Sequence, residues 1–126
     1  MKVLLSIKPE FVRKIFSRSK KYEFRKVLFR KEVESVIIYS TMPVGRIVGE
    51  FTISNIISGK PNIIWEQTKE HSGITEKFYT DYFMNRKLAH AIEIGRLIKY
   101  EIEINPFIKI PNFVAPQSFK YIQCPV

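Results

Sequence analysis

The chain contains 126 residues with a formal net charge of +9, and 45% of its residues are hydrophobic and 13% aromatic. This length fits a single domain, and this apolar content excludes a disordered chain. No apolar run approaches the roughly 20 residues that span a bilayer, and the N-terminus lacks the long apolar run and cleavage site of a secretory signal. We therefore predict one soluble, cytoplasmic domain over residues 1–126 that does not contact a membrane.

The periodicity of apolar residues predicts short strands mixed with about three helices. Pro61 and Thr75 are typical of helix starts, and Gly49 within an alternating strand indicates a bulge or a close backbone approach. In chain order we predict strands over 2–7, 20–26, 35–41, 46–54, 88–94, 97–104 and 119–122, and helices over 10–18, 61–71 and 75–86. This pattern favours an α+β fold built on a small, highly curved sheet or closed barrel.

Positive charge is concentrated at the start of the chain. Residues 1–31 hold eleven basic and two acidic side chains, whereas the other 95 residues hold ten of each. A field concentrated in this way attracts polyanions and is typical of nucleic-acid-binding proteins. The alternative is a basic face that serves only solubility. On the first interpretation, the candidate binding rim comprises Lys8, Arg13, Lys14, Arg18, Lys21, Lys26, Arg30 and Lys31.

Lys20, Glu23 and Arg25 form a more localised candidate site. Glu23 and Arg25 share one face of the strand predicted over 20–26, about 7 Å apart, and Lys20 reaches the same point from the preceding turn. A carboxylate between two cations stays ionised, and the cations keep donors for an anionic or carbonyl ligand. The alternative is a solvated strand face carrying a weak surface ion pair.

The segment from Lys8 to Arg25 within IKPEFVRKIFSRSKKYEFR resembles the diagnostic stretch of the ASCH domain family, which is related to the PUA domain. The motif of that family is Gly-x-Lys-x-x-Glu-x-Arg. Lys20, Glu23 and Arg25 match it in order and spacing, and Arg18 occupies the Gly position. Further along the chain, IYSTMPVGRIVGEF (38–51), AHAIEIG (89–95) and APQSFKYI (115–122) are similar to other parts of the family.

This resemblance implies a PUA-like, mixed but mostly antiparallel β-barrel with a cleft floored by the trio. It also implies binding of RNA or another nucleic acid, often near transcription or translation. Some small relatives resemble amidohydrolases acting on acetylated cytidine, and a few resemble ribonucleases. Glu23 stands where the amidohydrolase-like members have a nucleophilic Thr, and a carboxylate is a poor substitute for an alkoxide attacking an amide.

Other polar residues could line the same cleft. Lys8 would place its ammonium at the mouth, and the side chains of Ser40 and Thr41, or of Gln117 and Ser118, could bind a phosphate or a base edge. For Ser40 and Thr41, the alternative is a role in capping or turn hydrogen bonds.

Three ring-bearing side chains have both a functional and a packing interpretation. Trp65 and Tyr82 could stack on an unpaired base, as aromatic residues do in RNA readers. Because each lies on an apolar helical stripe, core packing is the favoured alternative. His90 begins a strand, which is more typical of a buried imidazole with satisfied hydrogen bonds than of a catalyst.

We therefore predict a monomeric nucleic-acid-binding module, with RNA favoured over DNA. The alternative is a small hydrolase, either N4-acetylcytidine amidohydrolase-like or a ribonuclease, in which Lys20 and Glu23 transfer protons and Arg25 stabilises charge. A small anionic ligand or a nucleoside is a third option. No Cys/His cluster has zinc-like spacing, so we predict no metal and no cofactor, and the single Cys124 excludes an intrachain disulfide.

Overall fold

The computed structural model describes residues 1–123, which form six strands, four α-helices and one 3-10 turn. Cys124 lies outside the described residues. The elements in chain order are β1 (Lys2–Ile7), α1 (Pro9–Phe16), β2 (Tyr22–Arg25), β3 (Ser35–Ser40), β4 (Arg46–Gly59), α2 (Pro61–Thr68), the 3-10 turn (Lys69–His71), α3 (Glu76–Tyr82), β5 (Ala89–Ile104), α4 (Pro106–Lys109) and β6 (Lys120–Ile122). The helices have at most eight residues each, so none in this part of the chain could cross a membrane.

All six strands belong to one sheet with the order β2-β5-β4-β3-β1-β6. β1 and β3 are parallel, and the other four pairings are antiparallel. The mixed, mostly antiparallel α+β fold predicted from the sequence is therefore confirmed. The sheet is barrel-like but open, because within residues 1–123 β2 and β6 each have a strand partner on one side only.

One side chain spans the gap between the two ends of this open sheet. Arg25 ends β2, and its Nη2 donates to the carbonyl oxygen of Ser6 on β1 at 3.3 Å. The same nitrogen donates to the carbonyl oxygen of Ser118, just before β6, at 3.1 Å. The sheet edges are thus joined through a guanidinium instead of a backbone ladder.

The prediction of two separate strands over 88–94 and 97–104 is wrong, because the single strand β5 runs through both ranges. It is continuous, and its pairing with β4 contains register shifts on either side of Ile53. A Cβ on Gly95 would lie 2.6 Å from Oγ1 of Thr52, and this oxygen accepts a hydrogen bond from the Arg96 amide at 2.8 Å. Gly95 therefore marks a bulge and not a strand end. The close approach predicted at Gly49 is confirmed, since a Cβ there would lie 2.9 Å from the Phe16 ring.

The helices pack on the sheet in two places that matter for the site. α1 buries Val12 and Ile15 against the strands around β3. All six residues of β3 are buried, as predicted. α2 and α3 pack with Phe24 of β2 in a separate cluster. Trp65 belongs to that cluster, 4.8 Å from the ring of Tyr79, so its packing role is confirmed. This arrangement leaves a space between α1, β2 and α3.

Arg18 has a left-handed backbone, with φ of 72°. Arg18 occupies the position that is glycine in the motif Gly-x-Lys-x-x-Glu-x-Arg. A left-handed conformation costs a residue with a Cβ roughly 1–2 kcal/mol, whereas glycine adopts it freely. The turn geometry typical of glycine is therefore kept here by a less suitable residue.

We expect Arg18→Gly to stabilise the protein by about 0.5–1 kcal/mol, because relief of backbone strain exceeds the added entropy of the unfolded chain. Thermal unfolding should show a rise in Tm of roughly 2–4 °C. Arg13→Gly is the matched control: it removes the same side chain from the interior of α1 and should lower stability by about 1 kcal/mol. A lower Tm for Arg18→Gly would contradict the strain argument.

Candidate nucleic-acid interface

A cavity of about 250 Å³ lies between α1, β2 and α3. Its polar lining consists of Ser6, Lys8, Lys20, Glu23 and Arg25, and its apolar lining of Ile7, Phe11, Phe24, Ile74, Phe78 and Tyr82. We call this space the cleft. Lys20 is only 2% exposed and Glu23 only 6% exposed. The alternative interpretation of the trio as a solvated strand face is therefore wrong.

Lys20 is held in place by a distant segment of the chain and by two aromatic rings closer in sequence. Its Nζ donates to the carbonyl oxygen of Ser72 at 2.9 Å and lies 4.9 Å and 5.3 Å from the ring centres of Phe24 and Phe11. Its aliphatic stem packs on Gly73, where a Cβ would lie 2.6 Å from Cγ of Lys20. Gly73 also has a left-handed φ of 70°, so only glycine suits this position.

Burial lowers the pKa of Lys20 from the usual 10.5 to about 8. Desolvation disfavours the charged ammonium, and it outweighs the opposing effect of the Glu23 carboxylate; Lys14 and Arg25 lower the pKa further. Lys20 therefore changes its protonation state close to physiological pH, and both the cation and the free amine are accessible forms.

Glu23 and Arg25 form a buried ion pair at the back of the cleft. Nη1 of Arg25 lies 3.6 Å from Oε2 of Glu23. The Nε of Arg25 is buried and has no hydrogen-bond partner within residues 1–123. A buried donor without a partner costs free energy unless a ligand or water satisfies it. The pair thus provides a site with unused donor capacity.

Aromatic rings form the walls above these charges. Phe78 and Tyr82 lie one turn apart on α3 with nearly parallel rings, 6.3 Å between centres and 12° between planes. Phe11 of α1 contacts Phe78 edge to face at 5.2 Å, and the Lys8 ammonium lies 5.3 Å from the Phe78 ring centre. Lys8 is thus at the cleft, and of the two aromatic candidates Tyr82 lines it whereas Trp65 does not.

A second depression of about 230 Å³ adjoins the cleft. It is lined by Arg25, Lys26, Val27, Tyr82, Arg86, Gln117 and Ser118, and we call it the flanking pocket. Lys26, Gln117 and Ser118 were candidates from the sequence, and the fold brings them to one place although about 90 residues separate them. Arg86 was not a candidate, because nothing in its local sequence distinguishes it from any other basic residue after a helix.

Several candidate residues lie outside both spaces. Arg13 and Ser40 line a separate depression with Lys99. Thr41 supports the turn after β3, where its amide donates to the Ile7 carbonyl and its carbonyl accepts from Val44. Arg18, Lys21, Arg30 and Lys31 are exposed and absent from the lining of either space.

Two other titratable residues of interest contact neighbours outside the cleft. Lys14 donates from Nζ to the carbonyl oxygen of Gly73 at 3.0 Å, so it supports the segment behind Lys20. His90 of β5 is paired with Arg25 of β2 on the neighbouring strand. Its Nδ1 is 2.6 Å from Oγ of Ser58. Burial lowers the pKa of His90, in agreement with a neutral imidazole held by a hydrogen bond.

The sequence pattern did not identify the segment over 72–74, which supplies a carbonyl, a glycine and an apolar wall to the site. Its only signal was a glycine shortly before the helix N-cap Thr75, which indicates a turn. The contact with Lys20 joins residues 52 positions apart, and local patterns carry no information about such a pairing.

A family model described as the ASCH domain matches residues 5–98. The ASCH domain-containing ribonuclease of Zymomonas mobilis is 29% identical over 128 residues, which covers 95% of this chain and 83% of that protein. The crystal structure of ASCH from Zymomonas mobilis has a TM-score of 0.83 at 26% identity, over 97% of this chain and 87% of that one. A single-residue variant of it has a TM-score of 0.89 at 25% identity, over 97% and 90%.

Two longer proteins of Ureaplasma parvum also contain a similar stretch. ATP synthase subunit alpha is 33% identical over 99 residues, which cover 78% of this chain but 12% of that protein. Large ribosomal subunit protein uL22 is 28% identical over 124 residues, which cover 96% of this chain and 39% of that protein. This chain therefore spans less than half the length of either of these two relatives.

Proposed function

Because this chain belongs to the ASCH domain family, we propose that it binds single-stranded RNA and takes one nucleotide into the cleft. The observation that carries this proposal is the pairing of aromatic walls with a cationic floor. Stacking on aromatic rings is how proteins hold unpaired bases, and Phe78 and Tyr82 offer two nearly parallel rings. Lys20 and Arg25 beneath them offer hydrogen-bond donors to a base edge or a phosphate.

The volume of the cleft supports a single nucleotide as its occupant. At about 250 Å³ it lies below the range of sites for drug-sized ligands, which run from about 300 Å³. A duplex offers no unstacked base, so we expect single strands to be preferred. RNA is favoured over DNA because the relative from Zymomonas mobilis, which resembles this chain over nearly its full length, is named a ribonuclease.

We expect Phe78→Ala to weaken binding of a short single-stranded RNA roughly tenfold, since stacking of one base contributes about 1–3 kcal/mol. Fluorescence anisotropy with a labelled oligoribonucleotide measures this change. Phe107→Ala, which removes a half-exposed ring on α4 outside the cleft, is the matched control and should leave Kd unchanged. Equal losses in the two variants would argue against the cleft as the binding site.

The same assay at several salt concentrations tests the role of phosphate contacts. For single strands, log K falls with log salt at a slope of about −0.7 for each phosphate neutralised. Affinity for RNA that does not change between about 50 and 200 mM salt would overturn the proposal of a polyanion-binding cleft. Single-stranded DNA and duplex RNA of the same sequence, titrated in parallel, test the two preferences stated above.

A second candidate function is cleavage of the bound RNA, which the lowered pKa of Lys20 and the ribonuclease relative favour. The free amine of Lys20 would take the proton of a ribose 2′-hydroxyl while the 2′-oxygen forms a bond to phosphorus. The bond from phosphorus to the 5′-oxygen breaks, and water gives a proton to that oxygen while it takes the proton held by Lys20, which restores the free amine. Arg25 would stabilise the negative charge that develops on the phosphate oxygens.

This chemistry predicts products with 2′,3′-cyclic phosphate and 5′-hydroxyl ends, formed by the wild type and not by Lys20→Met. End-labelled RNA resolved by electrophoresis detects both. RNA that stays intact with the wild type, under conditions in which anisotropy shows it to be bound, would eliminate this second candidate and leave RNA binding in place. Free N4-acetylcytidine tests the amidohydrolase alternative in the same experiment.

A further inference from the structure

The flanking pocket carries positive charge that the protein itself does not neutralise. Its lining includes Arg25, Lys26 and Arg86 but no carboxylate. Lys26 and Arg86 form no ion pair with any acidic side chain within residues 1–123. Lys26 and Arg86 therefore give the pocket uncompensated positive charge, which favours an anionic ligand.

Lys26 contacts an aromatic ring instead of a carboxylate. Its Nζ lies 4.6 Å from the ring centre of Tyr82, a cation–π contact of modest strength at an exposed site. The ammonium has three N–H donors, so contact with one ring face leaves donors for a ligand. Gln117 and Ser118 add an amide and a hydroxyl on the same lining, and both are good donors to phosphate oxygens.

The flanking pocket and the cleft are adjacent, because Arg25 and Tyr82 line both. The Tyr82 ring centre lies 6.3 Å from that of Phe78 in the cleft and 4.6 Å from Nζ of Lys26 in the flanking pocket. Arg25 lies beside Glu23 within the cleft and reaches Ser118 at the flanking pocket. A ligand with an apolar planar part and an attached anion therefore matches the two spaces in order.

From this adjacency we infer that the flanking pocket binds the phosphate group attached to the nucleotide held in the cleft, through Lys26, Arg86, Gln117 and Ser118. This inference rests on the proposed function and makes it more specific. It gives the bound strand a fixed polarity, with the base against the aromatic wall of the cleft and its phosphate displaced toward the C-terminal segment. The phosphate is either a terminal monophosphate or an internal phosphodiester, which share the same oxygens.

The test uses Lys26→Gln combined with Arg86→Gln, two changes at half-buried or exposed positions that should leave the fold intact. We expect this double variant to bind a short single-stranded RNA about 10- to 100-fold more weakly than the wild type. The salt slope should become shallower by about 1. Lys60→Gln combined with Lys109→Gln removes the same charge from exposed sites outside both spaces and is the matched control.

Oligoribonucleotides with and without a terminal phosphate distinguish the two sources of the bound phosphate group. If the terminal phosphate raises affinity in the wild type but not in the double variant, the pocket holds a chain end. If it makes no difference while the double variant still binds more weakly than the control, the pocket holds an internal phosphodiester. Equal weakening in the double variant and the control would overturn the inference and leave RNA binding standing. A wild type that binds no RNA would overturn both.

Discussion

Replacing Lys20 with methionine is expected to stabilise the protein at pH 7 while weakening its RNA binding. The buried ammonium has a pKa near 8 instead of 10.5, and this difference corresponds to about 3 kcal/mol of unfavourable burial. Methionine keeps the apolar stem between Phe11 and Phe24 but leaves the Ser72 carbonyl without its donor. Leaving that carbonyl unpaired offsets part of this benefit, so the free energy of unfolding should increase by about 1–2 kcal/mol in total.

The pH dependence of this gain follows from the direction of the pKa change. In the unfolded chain Lys20 titrates near 10.5, and in the native protein near 8. Between these two values the unfolded chain binds more protons, so the contribution of Lys20 to stability rises with pH. Below pH 8 both states are protonated and the full cost of burying the cation applies. The stability difference between Lys20→Met and the wild type should therefore be largest at pH 7 and small at pH 10.

Urea unfolding at these two pH values measures the difference, with the fluorescence of Trp65 as the signal. Lys21→Met makes the same substitution at the adjacent, exposed position and should change stability by less than about 0.5 kcal/mol at either pH. A Lys20→Met variant that is less stable than the wild type at both pH values would show that the ammonium serves the fold.

The RNA affinity of the same variant tests the function of the cleft. We expect a loss of tenfold or more at pH 7, where wild-type Lys20 is mostly protonated, since a charge-assisted hydrogen bond is lost. Wild-type affinity should also decline as the pH rises through 8, and that decline should be absent in the variant. A stable variant with unchanged RNA affinity would refute the role of Lys20 in binding.

Gly73→Ala is expected to destabilise the protein by about 3 kcal/mol and to displace Lys20. The left-handed backbone at Gly73 would cost alanine roughly 1–2 kcal/mol. The new methyl group would also overlap the Lys20 stem, and such overpacking costs typically 1–3 kcal/mol. Tm should fall by roughly 10 °C for a chain of this size.

Gly59→Ala provides the control, because it adds the same methyl group at the end of β4 without a clash. A Cβ there would be 3.5 Å from Cδ1 of Ile64, an ordinary contact, and Gly59 does not have a left-handed backbone. We expect its Tm to stay within a few degrees of the wild type. If Gly73→Ala proved equally mild, the described contact between Gly73 and Lys20 would be wrong.

Much of the fold could be predicted because apolar periodicity reports burial directly. The buried strand β3 is evident from the apolar run over 36–39, and Pro61 marks the start of α2. The continuity of β5 could not be predicted, because Gly95 has the local signature of a strand end. Only the neighbouring strand, which brings Thr52 against it, makes it a bulge.

The charged trio of the site could be predicted because Lys20, Glu23 and Arg25 lie within six residues of one another. The placement of the basic rim around the cleft could not be predicted, since charge along the sequence does not specify direction in space. Positions two apart on a helix project about 200° from each other. Phe11 therefore faces the cleft, whereas Arg13 lines a different depression.

The hydrogen bonds of Arg25 have a consequence for the C-terminal end of the described chain. β6 has three residues and pairs only with β1, and the guanidinium that holds the preceding Ser118 carbonyl also lines the cleft. A ligand that draws Arg25 toward itself competes with that carbonyl. Amide hydrogen exchange in Lys120–Ile122 should therefore become faster when a ligand occupies the cleft.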